Sequence, residues 1–120
     1  MISKGDDTIR NVSGLSKLDE KSIMAFLQGA VYCWCKNNKS ERFTIIELMG
    51  GENRDWNGTP LQILYDRQIQ EGKNEKEAFD NAGRDCGWLL KKVIHSDKRR
   101  FETEETGINR GYTWVEAQSV

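Results

Sequence analysis

Residues 78–116 read AFDNAGRDCGWLLKKVIHSDKRRFETEETGINRGYTWVE. Phe79, Ala82, Cys86, Leu89, Leu90 and Val93 recur at three- and four-residue spacing, which places them on one face of a long amphipathic helix. Lys91, Lys92, His95, Lys98, Arg99 and Arg100 crowd the end of that helix and the exit from it. Phe101 and Thr103 then alternate with Glu102 and Glu104, and Tyr112 and Trp114 flank Thr113, the period-two pattern of two half-buried strands. A helix that empties into a basic corner and a hairpin is the outline of a winged helix. The expected fold class is therefore α+β: a mostly helical single domain of four to five helices with a C-terminal β-hairpin from about Arg100 to Glu116, winged-helix-like.

Working back from this stretch, Asn74 and Glu77 have the spacing of a helix start. Gly83 and Gly87 interrupt the helical pattern. They either split it at Gly83 to Asp85 into a helix-turn-helix presenting Arg84, Lys91, Lys92 and His95, or ride inside it and let another backbone pack closely. Upstream, Thr59-Pro60-Leu61-Gln62 reads as a cap, a first-turn proline and a second box, with Leu61, Leu64, Tyr65 and Ile69 as the stripe and Gly72 as the stop. Thr44 and Glu47 form a third box, closed by a Phe43–Leu48 staple and ended at Gly50-Gly51. A short strand around Arg42 to Thr44 would add a third strand to the hairpin.

The first helix is expected from near Ser16 or Asp19 to Lys36, with Ile23, Phe26, Leu27, Ala30 and Trp34 as its stripe and Asn37-Asn38 as its stop. Residues 1–15 read as a mobile leader with a short strand around Thr8 to Val12, and residues 16–120 as the domain. The expected core is Phe26, Leu27, Ala30, Trp34, Leu48, Leu61, Leu64, Phe79, Leu89, Leu90, Val93 and one face of the hairpin.

With 120 residues the chain is long enough for one core and too short for two. Its hydrophobic share of 37% is low and its charged share of 31% is high, an imbalance that four Trp, four Phe and three Tyr offset. Such a thin-cored, aromatic chain is expected to form a homo-oligomer, a dimer or higher. No apolar run exceeds Ala30 to Cys35, so no membrane partner is expected, and a soluble, cytoplasmic protein is the default reading. Three cysteines without a signal sequence read as reduced thiols.

The net charge is −1, but it is unevenly spread. From Arg84 to Arg100 six positive residues face Asp85 and Asp97, a local net of +4 in a chain whose remainder carries −5. The candidate nucleic-acid-binding residues are therefore Lys91, Lys92, Lys98, Arg99 and Arg100, with Arg110 on the wing, contacting DNA phosphates. Lys91 and Lys92 equally fit a helix C-terminus, where cations meet free carbonyls. Trp56, in a polar loop at 52–58, is the candidate interface or ligand residue, with the alternative that it folds back to pin its loop.

Neither a metal nor a cofactor is expected. Cys33 and Cys35 lie about 200° apart on a helix and cannot chelate one ion. Glu47, Glu52 and Asp55 surround a glycine bend that lacks the Lys-Ser/Thr of a phosphate loop. No nucleophile–base pair marks an enzyme. The leading function is a nucleic-acid-binding or regulatory module of winged-helix type, and the alternative an oligomeric protein- or small-molecule-binding module.

Two blocks, Asp55-Trp56-Asn57-Gly58-Thr59-Pro60-Leu61-Gln62 and Gly87-Trp88-Leu89-Leu90-Lys91-Lys92-Val93, resemble segments of uncharacterised small bacterial proteins carried on mobile elements, in integron gene cassettes and prophage islands. The resemblance spans roughly residues 20–116. It implies an orphan cassette protein, often oligomeric, and assigns no functional residue.

Overall fold

The computed structural model describes residues 2–4, 9–38, 41–49, 55–106 and 109–115, excluding the side chains of 2–4, 38, 104–106 and 109. In chain order these form β1 (Ile2–Lys4), α1 (Lys17–Asn38), α2 (Ile45–Leu48), α3 (Gln62–Gln70), α4 (Glu75–Ser96), β2 (Arg100–Thr106) and β3 (Asn109–Val115). The molecule is an α+β domain of four helices and a C-terminal antiparallel hairpin. Gly50-Gly51 and Glu52 lie outside the described residues, as do Thr8, the hairpin tip at 107–108 and Glu116.

The helix starts follow their local chemistry. The Ser16 hydroxyl accepts from Asp19 N–H at 3.0 Å, opening α1. The Thr44–Glu47 box closes in both directions, with Glu47 N–H to Thr44 Oγ1 at 3.3 Å and Thr44 N–H to Glu47 Oε1 at 3.1 Å. At α4, Asn74 Oδ1 accepts from Glu77 N–H at 2.9 Å. The α3 start differs from expectation. Thr59 Oγ1 accepts from Leu61 N–H at 3.2 Å, while Gln62, Ile63 and Leu64 donate three residues back, so a tight 3₁₀-like turn precedes the helix. Gln62 reaches forward to Asp66 at 3.0 Å and completes no box. The far end of α3 closes as a Schellman turn: Lys73 N–H to Gln68 C=O, Gly72 N–H to Ile69 C=O, and Gly72 at φ +93°.

Helix α4 runs unbroken through Gly83, Arg84 and Asp85, so no helix-turn-helix divides it. A Cβ on Gly87 would meet nothing within 4 Å, so close backbone packing does not account for that glycine.

The core joins α1, α3 and α4 to the sheet. Helix α1 buries Ile23, Leu27, Val31 and Cys35, a single i+4 row, and leaves Phe26 and Trp34 half-buried at its margin. Ala30 and Leu48 are half-buried too. Phe79 is 47% exposed and outside the core, because the buried row of α4 passes through Ala78, Ala82 and Cys86, one residue round the helix. From the hairpin come Phe101 and Tyr112, the face that alternation indicated.

Phe43 is fully buried and joins the layers. Its ring lies 5.5 Å from Trp34, 6.2 Å from Phe101 (edge-on, 90°) and 5.9 Å from Tyr112. Its backbone exchanges two 2.8 Å hydrogen bonds with Tyr112, a one-residue antiparallel bridge where a short third strand was expected. The opposite edge is occupied by β1, which pairs parallel to β2 in the order β1-β2-β3. The N-terminal strand thus falls at Ile2–Lys4, and residues 9–12 form none. Behind it, Arg10 stacks over Trp88 at 5.8 Å, and the Ser13 carbonyl accepts from Arg67 at 2.6 Å.

Candidate nucleic-acid interface

The turn from α4 into β2 is built by Asp97. Its backbone leaves the helix in an extended conformation (φ −68°, ψ 143°), and its Oδ1 accepts from Arg99 N–H at 2.8 Å, an Asx turn that redirects the chain into the strand. The carboxylate is 2% exposed and well satisfied. Arg99 Nη1 lies 2.9 Å and 2.8 Å from its two oxygens, and Gln28 Nε2 of α1 donates to Oδ2 at 2.7 Å. Burying a carboxylate requires such compensation, and the arginine supplies it from two residues away.

This clamp holds the Arg99 guanidinium against two aromatic rings. It lies 4.9 Å from the centroid of Tyr32 on α1 and 6.0 Å from that of Trp114 on β3. Tyr32 is 52% exposed and Trp114 half-buried. Beside the stack an open cleft of about 500 Å³ is lined by Gln28, Ser96, Asp97, Lys98 and Arg99. Lys98 and Arg100 project to solvent on either side of Arg99, and neither forms an ion pair among the described residues.

The remaining basic residues are placed differently. Lys91 is buried at 9% exposure, on the inward side of α4. Lys92 is half-buried and pairs with Glu20 of α1 at 2.8 Å, so its charge ties two helices together. Arg110 donates to Thr103 Oγ1 at 3.2 Å across the hairpin. The six candidate cations therefore divide by their position on the helix and strands, and three consecutive residues, Lys98 to Arg100, make the outward corner. The exposed N-terminal half of α4 carries no net positive charge: it shows Glu75, Glu77 and Asp80, Lys76 is paired with Asp80 at 3.0 Å, and the exposed Arg84 lies over Trp88 at 5.3 Å.

Gln28, Tyr32 and Asp97 are the parts of this corner that sequence reasoning passed over. Tyr32 carried a usable signal, being an aromatic beside rather than on the apolar stripe. Nothing local ties Gln28 to a residue 69 positions away.

Trp56 is half-buried and packs against the core. Its carbonyl accepts from Thr59 N–H at 3.0 Å and from Thr59 Oγ1 at 2.8 Å, across a turn with Gly58 at φ +80°. Cys33 is exposed, whereas Cys35 and Cys86 are buried, and burial pushes the Cys35 thiol above its ordinary range. Among the described residues no group of three His, Cys, Asp or Glu side chains is placed to hold a metal ion, and no helix is long and apolar enough to cross a membrane.

No family model, curated protein or solved structure matches the chain.

Proposed function

We propose that the protein is a small nucleic-acid-binding or regulatory module of winged-helix type, and that it contacts its ligand through the corner after α4. The observation that carries this reading is the consecutive trio Lys98, Arg99 and Arg100. Two of its cations face solvent, and the third is clamped by Asp97 against Tyr32 and Trp114. Solvent-facing cations beside an aromatic surface are the combination from which phosphate contact and base contact are made. The order of helix, single bridge at Phe43, helices and hairpin supports the winged-helix comparison.

The test is fluorescence anisotropy with labelled random-sequence duplex and single strands at 50 and 200 mM salt. Binding that weakens with salt is expected, and a hypothetical double change of Lys98→Ala and Arg100→Ala should weaken it further without lowering the melting temperature. Absence of binding to every strand at low salt would retire the reading.

A second reading, an oligomeric binding module of a mobile gene cassette without catalytic activity, is favoured by apolar side chains left in solvent. Leu18 is 74% exposed, Phe79 47% and Ile69 39%, the last two on the adjacent helices α4 and α3. Light scattering that gives a dimer, converted to monomer by Phe79→Ser, would support it.

A further inference from the structure

Resting on the nucleic-acid reading, we infer that the ligand of this corner is a single strand, whose bases stack at Tyr32, Arg99 and Trp114 while Lys98 and Arg100 meet the flanking phosphates. Three observations converge on this. Arg99 is the middle cation of the trio, yet both oxygens of the buried Asp97 neutralise it. What it presents is a planar guanidinium, held in place by Asp97 and, through Gln28, by α1. A guanidinium so held adds a flat surface next to two rings more than it adds charge.

Second, the remaining electrostatics suit a short contact. Duplex binding without base readout rests on neutralising many phosphates. Here Lys92 is engaged by Glu20, Lys91 is buried, and the outward N-terminal half of α4 sets Glu75, Glu77 and Asp80 against Lys76 and Arg84, a net of −1 that offers no attraction to a phosphate backbone laid along that helix. Lys98 and Arg100 remain as outward cations of the corner. Two phosphate contacts give little duplex affinity, but on a single strand each stacked base adds a further factor of about five or more.

Third, the Arg99 end of the stack lines an open surface cleft of about 500 Å³ together with Gln28, Ser96, Asp97 and Lys98. An open surface of this kind leaves room for unpaired bases to approach Arg99, whereas bases locked inside a duplex present only their edges.

The experiment measures binding of the full chain to end-labelled dT12, rU12 and a 20-base-pair random duplex across 50 to 200 mM salt. At least one single strand should bind five-fold or more tighter than the duplex, with a log–log salt slope of about −1.4 for two phosphate contacts. Tyr32→Ala should weaken single-strand binding about five-fold or more, and Tyr32→Phe, which keeps the ring, should not. Because Tyr32 is half in solvent, both variants should fold, and circular dichroism checks this. The preference between dT12 and rU12 identifies the sugar. Duplex binding equal to or tighter than that of both single strands would overturn this inference and leave the proposed function standing. So would single-strand binding that folded Tyr32→Ala leaves unchanged. No binding to any of the three would overturn both.

Discussion

Gly72 and Gly87 show how two glycines of one helical hairpin do opposite things. Gly72 sits at φ +93° in the turn that closes α3, where an L side chain is strained, so Gly72→Ala should lower stability by about 1 kcal/mol. Gly87 lies inside α4 with open space at its Cβ, so Gly87→Ala should raise stability by about 0.5–1 kcal/mol. Chemical denaturation of both variants checks the two signs together. Asp85 carries a pH signature. Burial pushes its carboxyl above the ordinary range, and the ion pair with Arg67 pulls it back only in part. The native state therefore holds this proton more tightly than the unfolded chain does. The group's contribution is present at acid pH and is lost as pH rises through the native value. Asp85→Asn removes the dependence, so its melting temperature relative to the parent should rise as pH increases above the ordinary carboxylate range. Among the thiols, Cys33 alone is exposed, and a thiol reagent should label one cysteine rapidly in the native protein and three in denaturant.

At the scale of elements, α2 and the residue before its cap carry more than their length indicates. Helix α2 has four residues and buries none of them, yet the Thr44–Glu47 box holds it in place directly after Phe43. Phe43 is thereby fixed where its backbone bridges β3 and its ring meets Trp34, Phe101 and Tyr112. Phe43→Ala should cost about 3–5 kcal/mol, as a fully buried aromatic does, and Thr44→Ala about 1 kcal/mol for the lost cap, both measurable by urea denaturation. The box was legible because its partners are three residues apart. The strand expected around Arg42 to Thr44 covered the bridge at Phe43, but not that it is one residue long or that the Phe43 ring meets Trp34 and Phe101, because those partners lie on elements remote in the chain. The same limit explains α1: Phe26 and Trp34 share its broad apolar face with Leu27 and Val31, and only the neighbours packed on it select the i+4 row that is buried.

For the whole molecule, the N-terminal segment links the sheet to the helices. Strand β1 pairs with β2, Arg10 covers Trp88 and Ser13 accepts from Arg67, so three contacts distribute the segment over β2, α3 and α4. Deleting residues 1–13 should lower the melting temperature by about 5 °C or more, as loss of one to two kcal/mol does in a domain of this size. Read alone, the sequence determined the α+β class, the helix starts at Ser16, Thr44 and Asn74, the stop at Gly72 and the alternating faces of the hairpin. These are set by residues within one or two turns of each other, and local spacing records such chemistry. Only the tertiary structure decided that α4 is continuous, that β1 lies parallel to β2, and that Phe79 faces solvent. It also sorted the basic run into Lys91 buried, Lys92 bound to Glu20, Arg99 clamped beside Tyr32, and Lys98 and Arg100 turned outward. Side chains adjacent in sequence point in different directions on a helix, and the partners that bury or neutralise them arrive from elements remote in the chain.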